Sequence, residues 1–549
     1  MINTSTLAQL CLSASAKYNK HLALAMLNEG KIDRRITYDQ MGKRSRQIGS
    51  LLTQLGIKKG DRVLLLSDNC PEWAMSYFGI ALAEAVSVPL LTGFSTEQIY
   101  NIASHSGISA ICLSRVYESR FNETEDLPEL AKITKVPFIF IDSIKEGETM
   151  EITVSINGKE QQMQILPCEE NVVPQQQPND LATIIYTSGT SGNSKGVMLS
   201  SKNIISSSLS SKIFVDPTTK DRALSVLPLA HSYECSLGFL AMIIGGASIT
   251  YLDRPPSASV LLPAVKLVRP TMMLTVPLLI EKVYNNAIAP KLEANKLYNF
   301  KPTRQLARWV AGRKLYKSLG GKLRFFGIGG APLSPAVEDF LYHSRFPYSI
   351  GYGLTENAPL VAGNAPLRFS NKYGLGPAAG VSMRIAKCSA CTEPGIGEIQ
   401  VLGPNVMLGY YNDKEKTDEI MSSDGWLRTG DLGWLDKKGK VHIRGRLKAL
   451  ILGPSGENIY PEEIEGLLGT SGLVEDALVY SSNKGELVAK VRLSEAAKAL
   501  TDAVEKTLED LRAWANKKLA VFSHLSRIEI QGEPFEKTPT MKIKRYLYV

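Results

Sequence analysis

The segment Tyr186-Thr187-Ser188-Gly189-Thr190-Ser191-Gly192-Asn193-Ser194-Lys195-Gly196 constrains this chain more than any other. Apolar, strand-like runs flank it, Thr183-Ile184-Ile185 before and Val197-Met198-Leu199 after. Three glycines let successive backbone N–H groups turn into one concavity, a nest for an anion. Five Ser and Thr hydroxyls and Lys195 add donors and charge, which suits the β- and γ-phosphates of a nucleotide. A flexible Ser/Gly linker fits poorly, because the loop is short, contains a lysine and sits between apolar runs. A Walker loop needs four residues between its glycines and then Gly-Lys-Ser/Thr opening a helix. Here a glycine and a further strand follow the lysine. Strand–loop–strand geometry offers no helix N-terminus to the phosphates, so a kinase or GTPase is disfavoured.

The chain of 549 residues exceeds the ~250–300 residues at which single cores stop growing, so two or more domains are expected. Hydrophobic residues at 44% and charged residues at 21% exclude a disordered, collagen-like or coiled-coil chain. A net charge of +9 spread over this length suits small polyanionic ligands and not nucleic acid, which calls for a dense basic stripe. Seven scattered cysteines predict reduced thiols in a cytoplasmic-type compartment. Cys388 and Cys391 form a lone CxxC with no second ligand pair at zinc spacing, so a loop is expected there. Met1 to Thr6 lacks the plan of a signal peptide, and Leu547-Tyr548-Val549 is no peroxisomal tripeptide. Cys235 to Leu252 is uncharged, yet Gly245-Gly246 predicts a helix, a turn and a strand over 247–252 instead of a membrane span.

The first ~180 residues alternate apolar runs with helical patterns. Strands are predicted at Arg62–Leu66, Ser87–Leu90 and Ala110–Leu113, with a helix from Pro71 to about Leu82, which argues for βαβ units and a parallel or mixed sheet. Val173-Pro174-Gln175-Gln176-Gln177-Pro178 reads as a linker. A further boundary is expected near Gly445-Arg446-Leu447-Lys448. Beyond it Pro461 opens a helix with Glu462 and Glu463 in its first turn. Leu500, Val504, Leu508, Leu511, Trp514 and Leu519 predict an amphipathic helix. The expected fold class is α/β multidomain, with a large N-terminal domain over 1–446 built on mixed βαβ-type sheets. A small, mobile α+β domain is expected over 447–549.

Further motifs follow in order: Leu227-Pro228-Leu229-Ala230-His231, Gly327-Ile328-Gly329-Gly330-Ala331-Pro332, Gly351-Tyr352-Gly353-Leu354-Thr355-Glu356, Thr429-Gly430-Asp431, Arg444-Gly445-Arg446 and Phe535 to Arg545. With the glycine-rich loop they make the chain, from about Asp61 to Arg545, resemble the AMP-forming acyl-CoA synthetases of the adenylate-forming superfamily. Ser194 stands where that group carries proline before its lysine. Bottom-up chemistry agrees with the resemblance. Tyr352 offers an aromatic face for adenine, and Thr355 a hydroxyl for the α-phosphate. Glu356 supplies a hard oxygen for Mg²⁺, which prefers one or two carboxylates plus phosphate oxygens. Asp431 has two acceptor oxygens for the ribose hydroxyls, and Arg446 a guanidinium fork for ribose or phosphate. Arg444 reads as an ordinary surface charge.

The resemblance implies that Thr187, Ser188, Gly189, Thr190, Ser191, Gly192, Gly330, Ala331, Pro332, Gly351, Tyr352, Gly353 and Leu354 line ATP or AMP. By the same resemblance Lys195 meets the departing pyrophosphate, and His231 and Gly329 the acyl group. Lys542 reaches the active site for the first half-reaction, with Lys544 as the other candidate. The small domain turns at Lys448, bringing Gly453 and Gly456 to a pantetheine tunnel. The implied reaction makes acyl-AMP from a carboxylate and ATP with loss of pyrophosphate, then transfers the acyl group to CoA with release of AMP. Two anions meet in its first step, so catalysis rests on positioning and charge compensation. Pro270-Thr271, Val276-Pro277, Glu281-Lys282-Val283-Tyr284 and Ala230 to Glu234 are similar to the long-chain fatty acid branch. Medium-chain or aryl acids, and a separate acyl carrier protein as acceptor, are the alternatives. A cytoplasmic place is expected, with peripheral contact at the inner face of a membrane compatible with such substrates, and the oligomeric state is unread.

Overall fold

The computed structural model describes residues 4–121, 135–145, 150–165, 174–188, 194–389, 391–453, 457–483, 485–494, 497, 504–538 and 542–549. Two nine-stranded mixed sheets form the large N-terminal part. One has Arg62–Leu66, Val86–Pro89 and Ile108–Leu113 at its centre, paired in parallel. These strands are short apolar runs without alternation, as strands buried on both faces must be. The helix Pro71–Leu82 covers them. Proline sits in its first turn, where the missing N–H costs nothing, and the Cys70 Sγ accepts from the Trp73 N–H. Trp73 stacks on Tyr77, and both meet Phe239 edge-on in one continuous core.

The second nine-stranded sheet runs, in parallel, through Ser248–Leu252, Arg222–Leu224, Met272–Thr275, Phe325–Ile328 and Tyr348–Gly353. The uncharged stretch before Leu252 is a helix, a turn at Gly246 and this strand, as predicted. Its first part, Glu234–Leu240, is wound as a π-helix. Among the described residues no helix is long and apolar enough to cross a membrane. A four-stranded sheet, Ser382–Ala386, Gly397–Leu402, Leu427–Leu435 and Val441–Arg446, completes the large part.

The Gln/Pro stretch is not a boundary. It joins Lys159–Ile165 to Leu181–Ser188, two strands of the same sheet, and Pro174 and Gln176 are buried. The Gln175 N–H donates to Glu84. Low hydropathy there reflects a crossing over an existing core, which composition alone cannot distinguish from a tether.

After the single turn Leu447–Ala449 the chain builds a smaller domain with its own core, drawn from residues between Ile459 and Ile528. Helix Pro461–Gly469 packs on the strands Val474–Ser481, Leu487–Leu493 and Arg527–Ile530. The predicted amphipathic helix spans Val504–Asn516 and buries Leu511. Val504 faces solvent, Leu519 lies past the helix end, and Leu500 lies outside the described residues.

Candidate active site

The parallel strands Met272–Thr275, Phe325–Ile328 and Tyr348–Gly353 end side by side, and ligands of open parallel sheets gather beyond such carboxyl ends. Gly330, with φ +89°, turns the chain away from its strand, leaving Gly330, Ala331 and Pro332 exposed at that edge. Gly353 passes so close to Pro359 that a Cβ there would lie 2.0 Å from the Pro359 carbonyl oxygen. The Leu354 N–H donates to that same oxygen, fixing the turn that presents Thr355 and Glu356.

The segment Gly351 to Glu356 reaches two groups of residues. At one end the Tyr352 hydroxyl donates to Asp431 Oδ2 at 2.8 Å, in a buried setting. Asp431 Oδ1 lies 3.3 Å from Arg446 Nε, its register partner across the strand pair Leu427–Leu435 and Val441–Arg446. The turn before Asp431 is held by Thr429, whose hydroxyl donates to the Ile399 carbonyl, and by Gly430, whose N–H donates to Glu398. At the other end the Tyr410 hydroxyl donates to Glu356 Oε1 at 2.8 Å. The ring of Tyr410 also lies under Lys195 Nζ, 4.9 Å from its centroid. Lys195 sits opposite Thr187 in the hairpin Leu181–Ser188 and Ser194–Ser200, so it flanks the glycine-rich turn. Gly189, Thr190, Ser191 and Gly192 lie outside the described residues. Glu356 lies four positions after Tyr352, at most ~14 Å of extended chain. One elongated anion can therefore meet both groups.

Partial burial lowers the Lys195 ammonium pKa, and the nearby Lys448 and Lys416 charges lower it further. A concentration of positive charge that strains itself is poised for a polyanion. Glu356 fits a divalent cation. Oε1 takes the Tyr410 hydrogen bond, and the second oxygen accepts no hydrogen bond from the described residues. That leaves the hard oxygen donor Mg²⁺ favours.

His231 accepts from the Tyr233 N–H on Nδ1, which puts its own proton on Nε2. Burial lowers its pKa to about 4, and the charge of Lys542 contributes, so the ring is neutral at physiological pH. The Ser232 and Thr355 hydroxyls are 3.5 Å apart beside it. Next to this corner lies a narrow apolar pocket with a cavity volume of about 50 Å³. Tyr233, Glu234, Met242, Met272, Leu274 and Gly351 are among its walls. His231 and Gly329 stand against Tyr233 and not in the wall itself, Gly329 so tightly that a Cβ would meet the ring at 3.1 Å.

In the smaller domain, Lys542 stands where the chain pairs antiparallel with Lys537 and Thr538. The Thr538 N–H donates to the Lys542 carbonyl at 2.7 Å, and Lys537 bridges to Ile543. Loss of solvent, chiefly, and the charge of Arg446 lower the Lys542 pKa, while Asp431, Glu462 and Glu356 oppose them. The charges of the residues just described thus act on its ammonium, although the side chain is exposed. Lys544 is paired instead with Glu536 of its own hairpin, at 3.1 Å, which separates the two candidate lysines. Lys448 occupies the turn Leu447–Ala449 between the domains. The Gly453 N–H donates to the Glu457 carbonyl, and Gly456 lies outside the described residues.

Arg444 is not an ordinary surface charge. It reaches across to Glu463 at 2.7 Å and to Glu393 at 3.5 Å, and stacks near the rings of Trp434 and Tyr460. Tyr410, which joins Glu356 to Lys195, was not singled out from sequence either. Its signal, Gly409-Tyr410-Tyr411 before a polar helix start, becomes meaningful only once Gly409–Tyr410 pairs with Ser194–Ser200.

A family profile described as AMP-binding enzyme matches residues 13–411. Long chain acyl-CoA synthetase 6, peroxisomal, of Arabidopsis thaliana is 28% identical over 93% of this chain and 79% of that protein. Fatty acyl-CoA synthetase A of Dictyostelium discoideum is also 28% identical, over 93% of this chain and 83% of its own. Among solved structures, O-succinylbenzoate coenzyme A synthetase (MenE) from Bacillus subtilis in complex with AMP superposes with a TM-score of 0.76. It has 23% identity, and the alignment covers 98% of this chain and 97% of that one. Since the family match spans most of the sequence, and the fold agrees over nearly its full length, the chain belongs to the AMP-binding enzyme family.

Proposed function

We propose that this protein is an AMP-forming acid–CoA ligase acting on long-chain fatty acids. The observation that carries the reading is the convergence on one cleft of Glu356 with Lys195 and of Tyr352 with Asp431 and Arg446, whose charges act on Lys542 of the smaller domain. In this reading ATP lies along Gly351 to Glu356. Asp431 accepts from the ribose hydroxyls with the lone pairs that Tyr352 and Arg446 leave free. The glycine-rich turn holds the β- and γ-phosphates, and Lys195 compensates charge on the pyrophosphate as it departs. A bound Mg²⁺, held by Glu356 and phosphate oxygens, would neutralise part of the triphosphate charge.

The acyl carboxylate is brought in line with the α-phosphorus beside neutral His231, whose Nε2–H can donate to it without adding a competing charge. Lys542 supplies the cation between the two anions. The carboxylate oxygen forms a bond to the α-phosphorus as the bond to pyrophosphate breaks. In the second half-reaction the thiol sulfur of CoA forms a bond to the anhydride carbonyl, its proton goes to solvent or a base, and AMP leaves. The hydrocarbon chain occupies the apolar pocket behind Tyr233. The apolar lining of that pocket and the naming of the relatives above favour long-chain acids over short or aryl ones.

The decisive experiment is a panel of medium-chain, long-chain and aryl acids, each with ATP, Mg²⁺ and CoA, scored for AMP release. Long-chain acids should give the highest kcat/KM. Release with none of the acids would overturn the reading, and release only with an acyl carrier protein in place of CoA would change the acceptor. In the same assay Lys542→Ala should depress adenylation by at least 100-fold while sparing consumption of synthetic acyl-AMP by CoA. Equal loss in both would reassign Lys542.

A further inference from the structure

The stretch 289–318 holds eight Lys and Arg and a single acid, Glu293, a net of +7 out of the +9 of the whole chain. The positive excess is therefore not spread evenly but gathered on one feature. Helix Arg304–Ser318 is at its centre. It buries Ala307, Gly312 and Leu315 against the core and turns Leu306, Trp309, Val310, Arg313, Lys314 and Lys317 outward along one face. Apolar residues therefore stand on both faces of the helix, and on the outer face they are mixed with the charges. Leu306 is 55% exposed, Trp309 43% and Val310 40%. The short helix Lys296–Asn299 abuts its start and adds Leu297, at 50%, and Phe300, at 62%. Arg313 lies over the Trp309 ring, and Lys296 and Lys301 flank the aromatic and aliphatic cluster.

Scattered exposed apolar residues need no explanation, whereas a group on one contiguous face does. We propose that this face docks the protein peripherally on an anionic lipid bilayer. Helices lying in a membrane interface combine Trp, Phe and Leu with flanking Lys and Arg, and each cation near an anionic surface adds to binding. A nucleic-acid face would have use for the cations but none for Leu306, Val310 and Leu297. An acidic protein groove is the other occupant this composition would admit, and the test excludes it by containing no protein partner. Arg308, tied to Asp339 at 2.7 Å, belongs to the fold and not to the face. The proposal does not depend on the acyl-CoA reading, since the face contains none of the residues of the cleft.

The test is flotation of the full-length protein with vesicles of phosphatidylcholine alone or with 30 mol% phosphatidylglycerol, at low and at about 0.5 M salt. Partitioning into the anionic vesicles should exceed that into neutral ones at least tenfold and should weaken with salt. R313E/K314E/K317E should lose that excess. L306S/W309S, which leaves every charge in place, should also weaken binding at least threefold, because insertion and not only attraction holds the protein. Unaltered circular dichroism and melting temperature show that the variants are folded. Equal partitioning into both vesicle types, or wild-type binding by the charge-reversed variant, would overturn the proposal. So would unchanged binding by L306S/W309S.

Discussion

At the scale of single residues, chemistry was legible in sequence where a side chain acts through its own functional group. Glu356, Asp431, Arg446 and Lys542 stand in short motifs that state what they offer an anion or a metal. Tyr410 was not legible, because its contribution consists of touching Glu356 and Lys195, which lie 54 and 215 positions away. Its hydroxyl bond to a carboxylate is of the kind worth about 1.5–3 kcal/mol. Tyr410→Phe should therefore lower kcat/KM for ATP by about tenfold or more, measured by pyrophosphate exchange, with little effect on CoA. Glu234 is a second case. Among the described residues it is buried without an ion-pair partner and takes one hydrogen bond, from Ser225, and burial raises its pKa to about 8. The unfolded chain releases that proton near pH ~4.3. Between the two values the folded state holds a proton that the unfolded state does not, so stability from this group is full below the lower value. It is lost as pH rises through the upper. Glu234→Gln removes the loss. The melting temperature of the variant should gain on wild type steadily from about pH 5 to about pH 8.5, and a flat difference would mean that Glu234 is already ionised in the fold.

At the scale of elements, runs such as Val63-Leu64-Leu65-Leu66 announced their strands because burial on both faces leaves no alternative composition. The helix at Pro71 was readable from its first residue. What could not be read was which connection crosses a core and which separates two. The Gln/Pro stretch and the Gly445–Lys448 stretch carry similar turn-forming signals, yet the first has Gln176 buried and the second precedes a new core. The turn after Gly353 shows how an element's shape sets a site's position. A side chain at 353 would collide with the Pro359 carbonyl, and overpacking of this kind costs about 1–3 kcal/mol. Gly353→Ala should lower the melting temperature and, by moving Thr355 and Glu356, reduce adenylation more than tenfold. Thermal unfolding and pyrophosphate exchange on the same sample check both, and a variant normal in each would mean that the turn yields freely.

At the scale of the whole molecule, polar contacts among the described residues join the smaller domain to the large one. Lys282 lies 4.0 Å from Glu475, and Arg444 holds Glu463. The connecting turn is three residues long, with Lys448 at its centre. Exposed ion pairs of this type contribute about 0–1 kcal/mol each, so the arrangement can be left cheaply, and a reaction with two unlike steps has use for that. If the smaller domain turns at Lys448 between adenylation and thioester formation, Arg444 and Glu463 must separate, since they stand on opposite sides of the turn. Arg444→Ala should then slow adenylation severalfold while leaving thioester formation from synthetic acyl-AMP unchanged or faster. Lys448→Pro acts on the same motion differently. Proline fixes φ near −65° and removes an N–H, so it should freeze one arrangement, sparing one half-reaction and abolishing the other. Measuring the two half-reactions separately in both variants decides the matter. Equal losses in both steps for Arg444→Ala would reduce the pair to a strut of the strand Val441–Arg446, and unchanged rates in Lys448→Pro would place the pivot elsewhere.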